Sequence, residues 1–528
     1  MQTLSSLNPQ SWLSWFLKGL LAVGLVVLVA RLAELQIIKG NYYHALAEEN
    51  RIRRVSITAP RGEILARGGE KLVGNSKVQK LIEFDQSLGF VKKQADQNSQ
   101  SEDLITEWNR MYFLGSGLAH VTGYLGQVDQ TQIGRVDPKC TDKGPIPADA
   151  LVGRSGLEMQ YSCRLKGING EKLLEVDTQG SKIRILGTRD PVPGENITTT
   201  IDYGLQQKIV DIFDDIGAVV ATDGKGEVLA LYSSPSFDPT RVDQYINDKS
   251  LPLFDRAISG AYHPASTFKL AVSIGALEEG KIDSSFGYLD TGEIKVNEFS
   301  YTNWYFTQYG GVEGLIDLPR AIARSTDTFF YKVGEMLGPN SIANWAGIFG
   351  FGKKTNIDLP GEVTGLVPTP AWKLETKAEN WFLGNTYHMA IGQGDVTATP
   401  LQANVMTAAI ATNGQICQPH LVNDFDQDYC KQLDISQESL DLVKQGMIDA
   451  CSEGGTGYPF FDFTPPVACK TGTAETFDES KTHAWFTVYA PAQDPQIVVT
   501  VLVENGGEGS QVAAPIARQI LDYWFYER

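Results

Sequence analysis

From Trp12 to Ala30 the chain runs for 19 residues with a single charge, Lys18, and only Ser14, Gly19 and Gly24 interrupting an apolar surface. A helix needs about 20 such residues to cross a bilayer, and a lysine near one end can extend its stem until the ammonium reaches the interface. The run therefore constrains the whole chain to hang from one N-terminal helix. A cleaved secretory signal is the competing reading. Leu28-Val29-Ala30 followed by Arg31 is a poor small-residue cleavage site, and the run is long for a signal, so an uncleaved anchor is favoured. Arg31, Lys39, Arg51, Arg53 and Arg54 follow the span while Lys18 stands nearly alone before its core, a balance that by itself would place the bulk of the chain inside. That rule weakens when a long domain follows, so sidedness has to come from what the domain does.

The remainder has the composition of a globular protein. With 528 residues the chain has room for about three domains. Its 42% hydrophobic and 20% charged residues exclude collagen-like, disordered and wholly membrane-embedded classes. Sixty-three acidic against 45 basic residues leave a formal charge of -18, which opposes binding to a phosphate backbone; without a basic patch, nucleic acid is excluded as a partner. The six cysteines, at 140, 163, 417, 430, 451 and 469, lack the paired short spacings of a zinc or redox site, and none of the six histidines sits in an HExxH arrangement, so no metal is expected. In an oxidising compartment Cys417 with Cys430 is the pairing that the short intervening loop allows; the connectivity otherwise stays open.

Leu32, Leu35, Gln36 and Tyr43 to Asn50 extend the first helix until Pro60-Arg61-Gly62 breaks it. Between about 55 and 195 short alternating segments, Gly-rich turns and a polar charged stretch from Lys92 to Asp103 predict a loop-rich, mostly β module. The texture changes near Pro191 to Thr200. An amphipathic helix is predicted over Leu205 to Ile216, with Ile209, Ile212 and Phe213 on one side, followed by a hairpin turning at Asp223-Gly224-Lys225-Gly226. Ala484 to Tyr489 and Gln496 to Val503 read as a second strand pair, and Ala513 to Glu527 as a closing amphipathic helix. The expected fold is α+β, an antiparallel sheet covered by helices. The expected domains are a tail (1–11), an anchor helix (12–38), a β-rich module (39–195) and a larger α+β domain (196–528).

His263-Pro264-Ala265-Ser266-Thr267-Phe268-Lys269 precedes apolar Leu270, Ala271, Ile274, Ala276 and Leu277, which predicts a helix start. Ser266 and Lys269, three apart, then share one helical face, and the helix N-terminus favours an anion developing on the oxygen. A hydroxyl is a weak nucleophile at neutral pH, and an adjacent amine held deprotonated by burial or neighbouring cations activates it. Taken alone such a pair is more often a capping serine beside a solvated lysine. Ser266 is, however, the only serine in the chain with a lysine three residues on. Two further groups follow in order: Ser325-Thr326-Asp327 ahead of a helical Phe329 to Met336, and Lys470-Thr471-Gly472-Thr473 ahead of the strand at Ala484. The ordered set Ser-x-x-Lys, Ser-x-Asp/Asn, Lys-Thr-Gly is the signature of penicillin-recognising serine transpeptidases and β-lactamases.

On these motifs the chain resembles the class B penicillin-binding proteins, most closely their elongation-type branch. Arg51-Ile52-Arg53, Ala59-Pro60-Arg61-Gly62-Glu63-Ile64, His120-Val121-Thr122-Gly123-Tyr124, Gly153-Arg154-Ser155-Gly156-Leu157-Glu158 and Glu175-Val176-Asp177 look like the family's non-catalytic pedestal. Thr199-Thr200-Ile201-Asp202, Pro235-Ser236-Phe237-Asp238-Pro239, Ile391-Gly392-Gln393-Gly394 and Thr399-Pro400-Leu401-Gln402 are similar to segments flanking its active site. The resemblance implies a transpeptidase domain behind a pedestal. Within it Ser266 is the acylated nucleophile, Lys269 its base, Ser325 a proton relay and Asp327 the polar residue holding the cleft's hydrogen bonds. Lys470, Thr471 and Thr473 would bind the substrate's terminal carboxylate, with Gly472 leaving room for the peptide; Lys470 as a cation would keep Lys269 neutral, and the N–H groups of Ser266 and Thr473 would form an oxyanion hole.

The implied reaction is attack on a D-alanyl-D-alanine stem peptide, loss of D-alanine and transfer of the acyl group to an amine, a peptidoglycan crosslink that β-lactams block covalently. No cofactor is implied. The implied setting is the outer face of the cytoplasmic membrane, beside a polytopic glycosyltransferase. Asp327 stands where many relatives carry Asn, which the elongation-type branch tolerates, and Ala66 replaces an acidic residue after the Arg-Gly-x-Ile segment. Asn303 to Gly314 lacks the Cys/His ligands that some of the branch carry there, so no zinc is expected. Cys469 next to Lys470 should point away from the cleft by strand alternation. The alternatives are a division-type transpeptidase, or a silent β-lactam-binding scaffold or sensor; a sensor needs a cytoplasmic portion for which residues 1–11 leave no room. A soluble β-lactamase is disfavoured by the anchor and pedestal.

Overall fold

The structure is a computed structural model that describes residues 11–85, 89–95, 104–177, 179, 181–423, 429–476, 478 and 480–528. Residues 1–10 of the predicted tail and 96–103 of the charged stretch Lys92 to Asp103 lie outside the described residues. The chain forms two compact units. One comprises Met1–Pro60, Ser76–Asn109 and Gly167–Pro193, the other Arg61–Asn75, Arg110–Lys166 and Gly194–Arg528.

The smaller unit begins with the apolar helix Ser11–Ala33, which passes through a π-helical turn, Glu34–Ile38, into a second helix, Gly40–Arg51. Over Trp12–Ile38 the mean hydropathy is 2.2 and no residue is buried. At about 1.5 Å per residue these 27 residues reach roughly 40 Å, more than the ~30 Å hydrocarbon thickness of a bilayer. The segment meets the length and composition of a single-pass anchor. Strand Ile52–Ile57 follows and pairs antiparallel with Gly170–Val176, which pairs in turn with Lys182–Arg189. Val55, Ile57, Ile82, Ile105 and Leu174 fill the unit's own small core.

The larger unit is built on one five-stranded antiparallel sheet. In chain order its main elements are α1 (Tyr203–Ile212), β1 (Gly217–Thr222), β2 (Val228–Ser234), α2 (Lys269–Glu278), α3 (Leu318–Arg324), α4 (Asp327–Leu337), α5 (Pro400–Ala411), α6 (Gln437–Ala450), β3 (Ala468–Glu475), β4 (Thr482–Ala490), β5 (Ile497–Val503) and α7 (Ala513–Asp522). The strand order is β2-β1-β5-β4-β3, so the last three strands in sequence complete a sheet that β1 and β2 began some 230 residues earlier, with β3 at the edge. An apolar run without polar alternation, such as Ile497–Val503, implies cover on both faces. In β5, Val499 and Val501 join Val219, Phe486 and Val488 under Leu205 and Ile209 of α1 and Ala517, Ile520 and Leu521 of α7. The alternate residue Val498 turns to the opposite cluster, with Phe268, Met406 and Ile410. The α+β architecture expected from the sequence is the one observed. Ala66 is fully buried in one cluster with Ile64, Leu118 and Leu157, a place suited to a small apolar residue.

Three expected element ends differ. The first helix, expected to continue to Pro60, ends at Arg51, where the chain enters strand Ile52–Ile57 to pair with Gly170–Val176. The helix predicted over Leu205 to Ile216 stops at Ile212, because the chain must leave it to enter β1 at Gly217, and Phe213 caps it with its ring in the core. The closing helix is α-helical to Asp522 and π-helical over Tyr523–Glu527.

Asn404 of α5 reaches the sheet through a fully buried polar network. It accepts from the Thr222 hydroxyl (2.5 Å) and donates to Val498 O (3.1 Å), Val220 O (3.3 Å) and Thr500 Oγ1 (3.3 Å), while Thr487 bridges Thr407 (2.8 Å) and Thr500 (2.9 Å). Removing one partner of such a network strands the others at a cost of about 1–3 kcal/mol. Asn404→Leu, which keeps the branched shape and deletes the amide, should lower the Tm of the purified chain by roughly 2–8 °C in scanning calorimetry; an unchanged Tm would show that the network contributes nothing.

Candidate active site

The Pro264-Ala265-Ser266 segment starts a helix, as its residue types predict, but in two steps: a single 3₁₀ turn, Ala265–Thr267, leads into α2 at Lys269. Ala265 has φ +49°, a left-handed backbone that an alanine adopts only when its surroundings impose it. Those surroundings are specific. Ala265 N donates to Gly392 O (3.0 Å), Thr267 Oγ1 donates to Pro264 O (2.6 Å), and a Cβ at Gly392, itself at φ +70°, would stand 2.3 Å from Ala265 O. The turn presents half-buried Ser266 to a cleft of about 1360 Å³ whose lining also includes Ser325, Asp327, Thr471, Gly472 and Thr473.

Lys269 lies one turn deeper, fully buried over the ring of Phe330 (5.1 Å). Its ammonium donates to Asp327 Oδ1 (2.7 Å), Ser325 O (2.9 Å) and Ser325 Oγ (3.3 Å). Ser325 is the αL residue that ends α3 (φ +55°), and this turned backbone brings both its oxygens to the lysine. Asp327 opens α4, and its second oxygen accepts from Trp304 N (3.2 Å). Lys470 arrives from edge strand β3, also fully buried, and donates to Ser325 Oγ (2.9 Å) and Thr471 O (2.9 Å). Ser325 Oγ thus stands between two lysine amines.

Two ammoniums share one carboxylate in this pocket. Burial pushes the Lys269 amine below its ordinary range, against the pull of Asp327. Lys470 is pushed well below, by burial and then by the charge of Lys269, again with Asp327 opposing. From charge alone the sequence expects Lys470 to hold Lys269 neutral. The structure puts the carboxylate on Lys269, so in the empty cleft the stronger depression falls on Lys470.

Along β3 the carbonyl of Thr471 accepts from Lys470 and that of Thr473 from Gln393 Nε2 (3.4 Å), so both point off the sheet edge. In a strand the N–H of a residue points to the same side as its C=O, which turns the Thr473 N–H the same way. Gly472 has a tighter reason than room for a peptide: an added Cβ would meet Trp485 Cβ at 3.0 Å, Thr267 Cγ2 at 3.3 Å and Ala265 Cβ at 3.5 Å, so glycine lets the strand close on the Ser266 turn. Strand alternation directs Cys469 to the core on the opposite face, where it is bonded to Cys451. The other disulfides are Cys140–Cys163 and the expected Cys417–Cys430. Among the described residues one grouping offers metal-ligand types, Asp137 with Cys140 and Cys163, and its two sulfurs are bonded to each other.

All eight residues singled out in the sequence, Ser266, Lys269, Ser325, Asp327, Lys470, Thr471, Gly472 and Thr473, converge here, six on the cleft wall and the two lysines beneath it. Sequence reading missed Trp304, whose indole donates to Arg324 O (2.9 Å) while its backbone holds Asp327, and Thr456, whose hydroxyl lies 2.8 Å from that of Thr471. A lone threonine in a Gly-rich loop carries no signal in one sequence.

Residues 216–522 match the penicillin binding protein transpeptidase domain, and residues 93–199 the penicillin-binding protein dimerisation domain. The peptidoglycan D,D-transpeptidase MrdA of Haemophilus influenzae is 31% identical over an alignment covering 97% of this chain and 91% of that protein. Among solved structures, the complex between penicillin-binding protein PBP2 and MreC from Helicobacter pylori matches with a TM-score of 0.76 at 25% identity, covering 90% of this chain and 98% of that one. A chain from a peptidoglycan synthase complex, described as structurally coordinating polymerization and crosslinking, matches with a TM-score of 0.75 at 29% identity over 98% of this chain and 99% of its own. With the family domain spanning more than half its length and relatives aligned nearly end to end, the chain belongs to the elongation-type class B penicillin-binding proteins.

Proposed function

We propose that the chain is a membrane-anchored peptidoglycan D,D-transpeptidase of cell-wall elongation that works through an acyl-enzyme on Ser266. The observation that carries this is the meeting of Ser266, Lys269, Ser325, Asp327 and Lys470 around one open cleft. Two ammoniums beside one carboxylate hold one proton in excess. Lys470, the more depressed, loses it first, and Ser325 Oγ, within reach of both amines, passes a proton from Lys269 to Lys470. The lone pair then sits on Lys269 and the charge on Lys470, an arrangement that a substrate carboxylate near Thr471 and Thr473 favours further.

Ser266 Oγ attacks the carbonyl of the penultimate D-alanine and gives its proton to Lys269. The developing oxyanion is met by the N–H groups of Ser266 and Thr473, where losing one donor costs on the order of 100-fold to 1000-fold in rate. The C–N bond breaks as the leaving amine takes a proton through Ser325, and D-alanine departs. An amine of a neighbouring strand then attacks the ester, forms the new amide, and returns a proton to Ser266. A β-lactam undergoes the same attack, but its leaving amine stays tethered, so the ester persists.

On this reading the chain divides into a tail (1–11), an anchor (12–38), a pedestal (39–195) and a transpeptidase domain (196–528), with the cleft outside the cytoplasm where peptidoglycan lies. The likeness to a synthase complex that couples polymerization to crosslinking supports a polytopic peptidoglycan glycosyltransferase as partner.

After exposure to a β-lactam, intact-mass analysis should find one covalent adduct on the native chain and none on Ser266→Ala; an adduct that persists on the variant would remove Ser266 from its role, and none on either would indicate a silent scaffold. The acylation rate should rise with pH through a limb below the ordinary lysine range, because the base must be neutral and burial lowers Lys269. Asp327 is the group that holds both lysines up, so Asp327→Asn should move this limb to lower pH; a limb that stays or moves up would assign the titration to another group. A reporter fused after Arg528 should be active only in a form that works outside the cytoplasm, and a cytoplasmic signal would reverse the proposed sidedness.

A further inference from the structure

The loop between α6 and β3 places one side chain behind the carboxylate-facing threonines. Cys451, at the end of α6, is bonded to Cys469 of β3, and Gly457 N donates to Ala450 O (2.7 Å), folding the loop back on itself. A Cβ on Gly457 would stand 2.7 Å from Cys469 Sγ and 2.8 Å from Cys451 Sγ, so the loop passes directly against the disulfide. Between these fixed points stands Thr456. Its N–H donates to Ala323 O (3.2 Å), near the end of α3 and two residues before Ser325. Its hydroxyl lies 2.8 Å from Thr471 Oγ1 and 3.3 Å from Ala323 O. Thr456 therefore joins the helix that ends in Ser325 to the strand that carries Lys470 and Thr471.

Proton counting gives this contact a direction. Each threonine hydroxyl has one hydrogen to donate, and a carboxylate only accepts. If Thr456 gives its hydrogen to Ala323 O, Thr471 must donate to Thr456 and has none left for a ligand. If Thr456 gives its hydrogen to Thr471, the Thr471 O–H is free to donate into the cleft, and the bond it receives strengthens the one it makes. The Ala323 carbonyl keeps the Thr456 N–H in either case.

We propose that Thr456 is a positioning residue for the transpeptidase reaction: its hydroxyl donates to Thr471 and so aims the Thr471 O–H at the substrate's terminal carboxylate. This rests on Thr471 being a carboxylate ligand, as proposed above. Thr456 also lines the cleft, and the role assigned to it is exerted through Thr471 rather than on the reacting atoms. It discriminates in favour of ligands that carry a carboxylate.

The test compares acylation of the full-length protein by benzylpenicillin and by its methyl ester, which lacks the anionic acceptor. Thr456→Val, which keeps the shape and deletes the hydroxyl, should lower the second-order constant for the acid by about threefold to tenfold and leave that for the ester unchanged, so the acid-to-ester ratio falls by the same factor. Thr456→Ser should restore the ratio, and Thr456→Ala serves the same comparison if the valine variant does not fold. Acid and ester constants falling together would mark a merely structural role and overturn the inference. Thr471→Val separates the two levels. A ratio that falls in Thr471→Val but not in Thr456→Val overturns the role of Thr456 alone, whereas a ratio unmoved in both overturns Thr471 as a carboxylate ligand and the inference with it.

Discussion

Two lysine ammoniums buried against a single aspartate govern this structure. Taking a charge out of water is costly unless it is paired and hydrogen-bonded, and here one carboxylate serves two cations. The site meets that cost by saturating Lys269 with Asp327 and both oxygens of Ser325, and by leaving Lys470 as the amine that most readily sheds its proton. The same imbalance that would destabilise an ordinary core leaves amines that hold their protons less tightly than an exposed lysine, both within reach of Ser325 Oγ. Structural cost and chemical use are two sides of one arrangement.

Holding that imbalance requires rigid supports from distant parts of the chain. Lys269 comes from the first turn of α2, Ser325 from the end of α3, Asp327 from the start of α4 and Lys470 from β3. Each sits at the end of an element or on an edge strand, where backbone and side-chain polar groups remain available. The sheet core of Val219, Phe486, Val499 and Val501 fixes β3, while the contacts of Gly392 and Gly472 press the Ser266 turn against it. Left-handed backbones at Ala265 and Ser325 show local geometry yielding to this demand. The Cys451–Cys469 bond adds a covalent tie on the strand face opposite Lys470, the face that also carries Thr471.

Much of this could be read from one sequence. The apolar run, the alternating strands of the closing sheet and the helix start at Pro264 follow from short-range pattern, and they appear where the pattern put them. Element ends were less legible: α1 stops early because β1 must begin, a demand that comes from outside the helix. The three motifs were found because their residue types are chemically improbable as a set. Trp304 and Thr456 were not, because an indole and a hydroxyl become part of a site only through what folds next to them.

The sequence by itself determined the kinds of group available and the local shape of the segments bearing them: a serine one helical turn from a lysine, a Ser-x-Asp at a helix boundary, a Lys-Thr-Gly on a strand whose alternation hides Cys469. Only the tertiary structure decided how those groups share charge. Which lysine takes the carboxylate, which is the more depressed, and that Gly472 makes way for the Ser266 turn all depend on distances of a few ångströms between residues hundreds of positions apart. Electrostatic energy depends on separation and burial rather than order along the chain, so no reading of the chain alone could assign them.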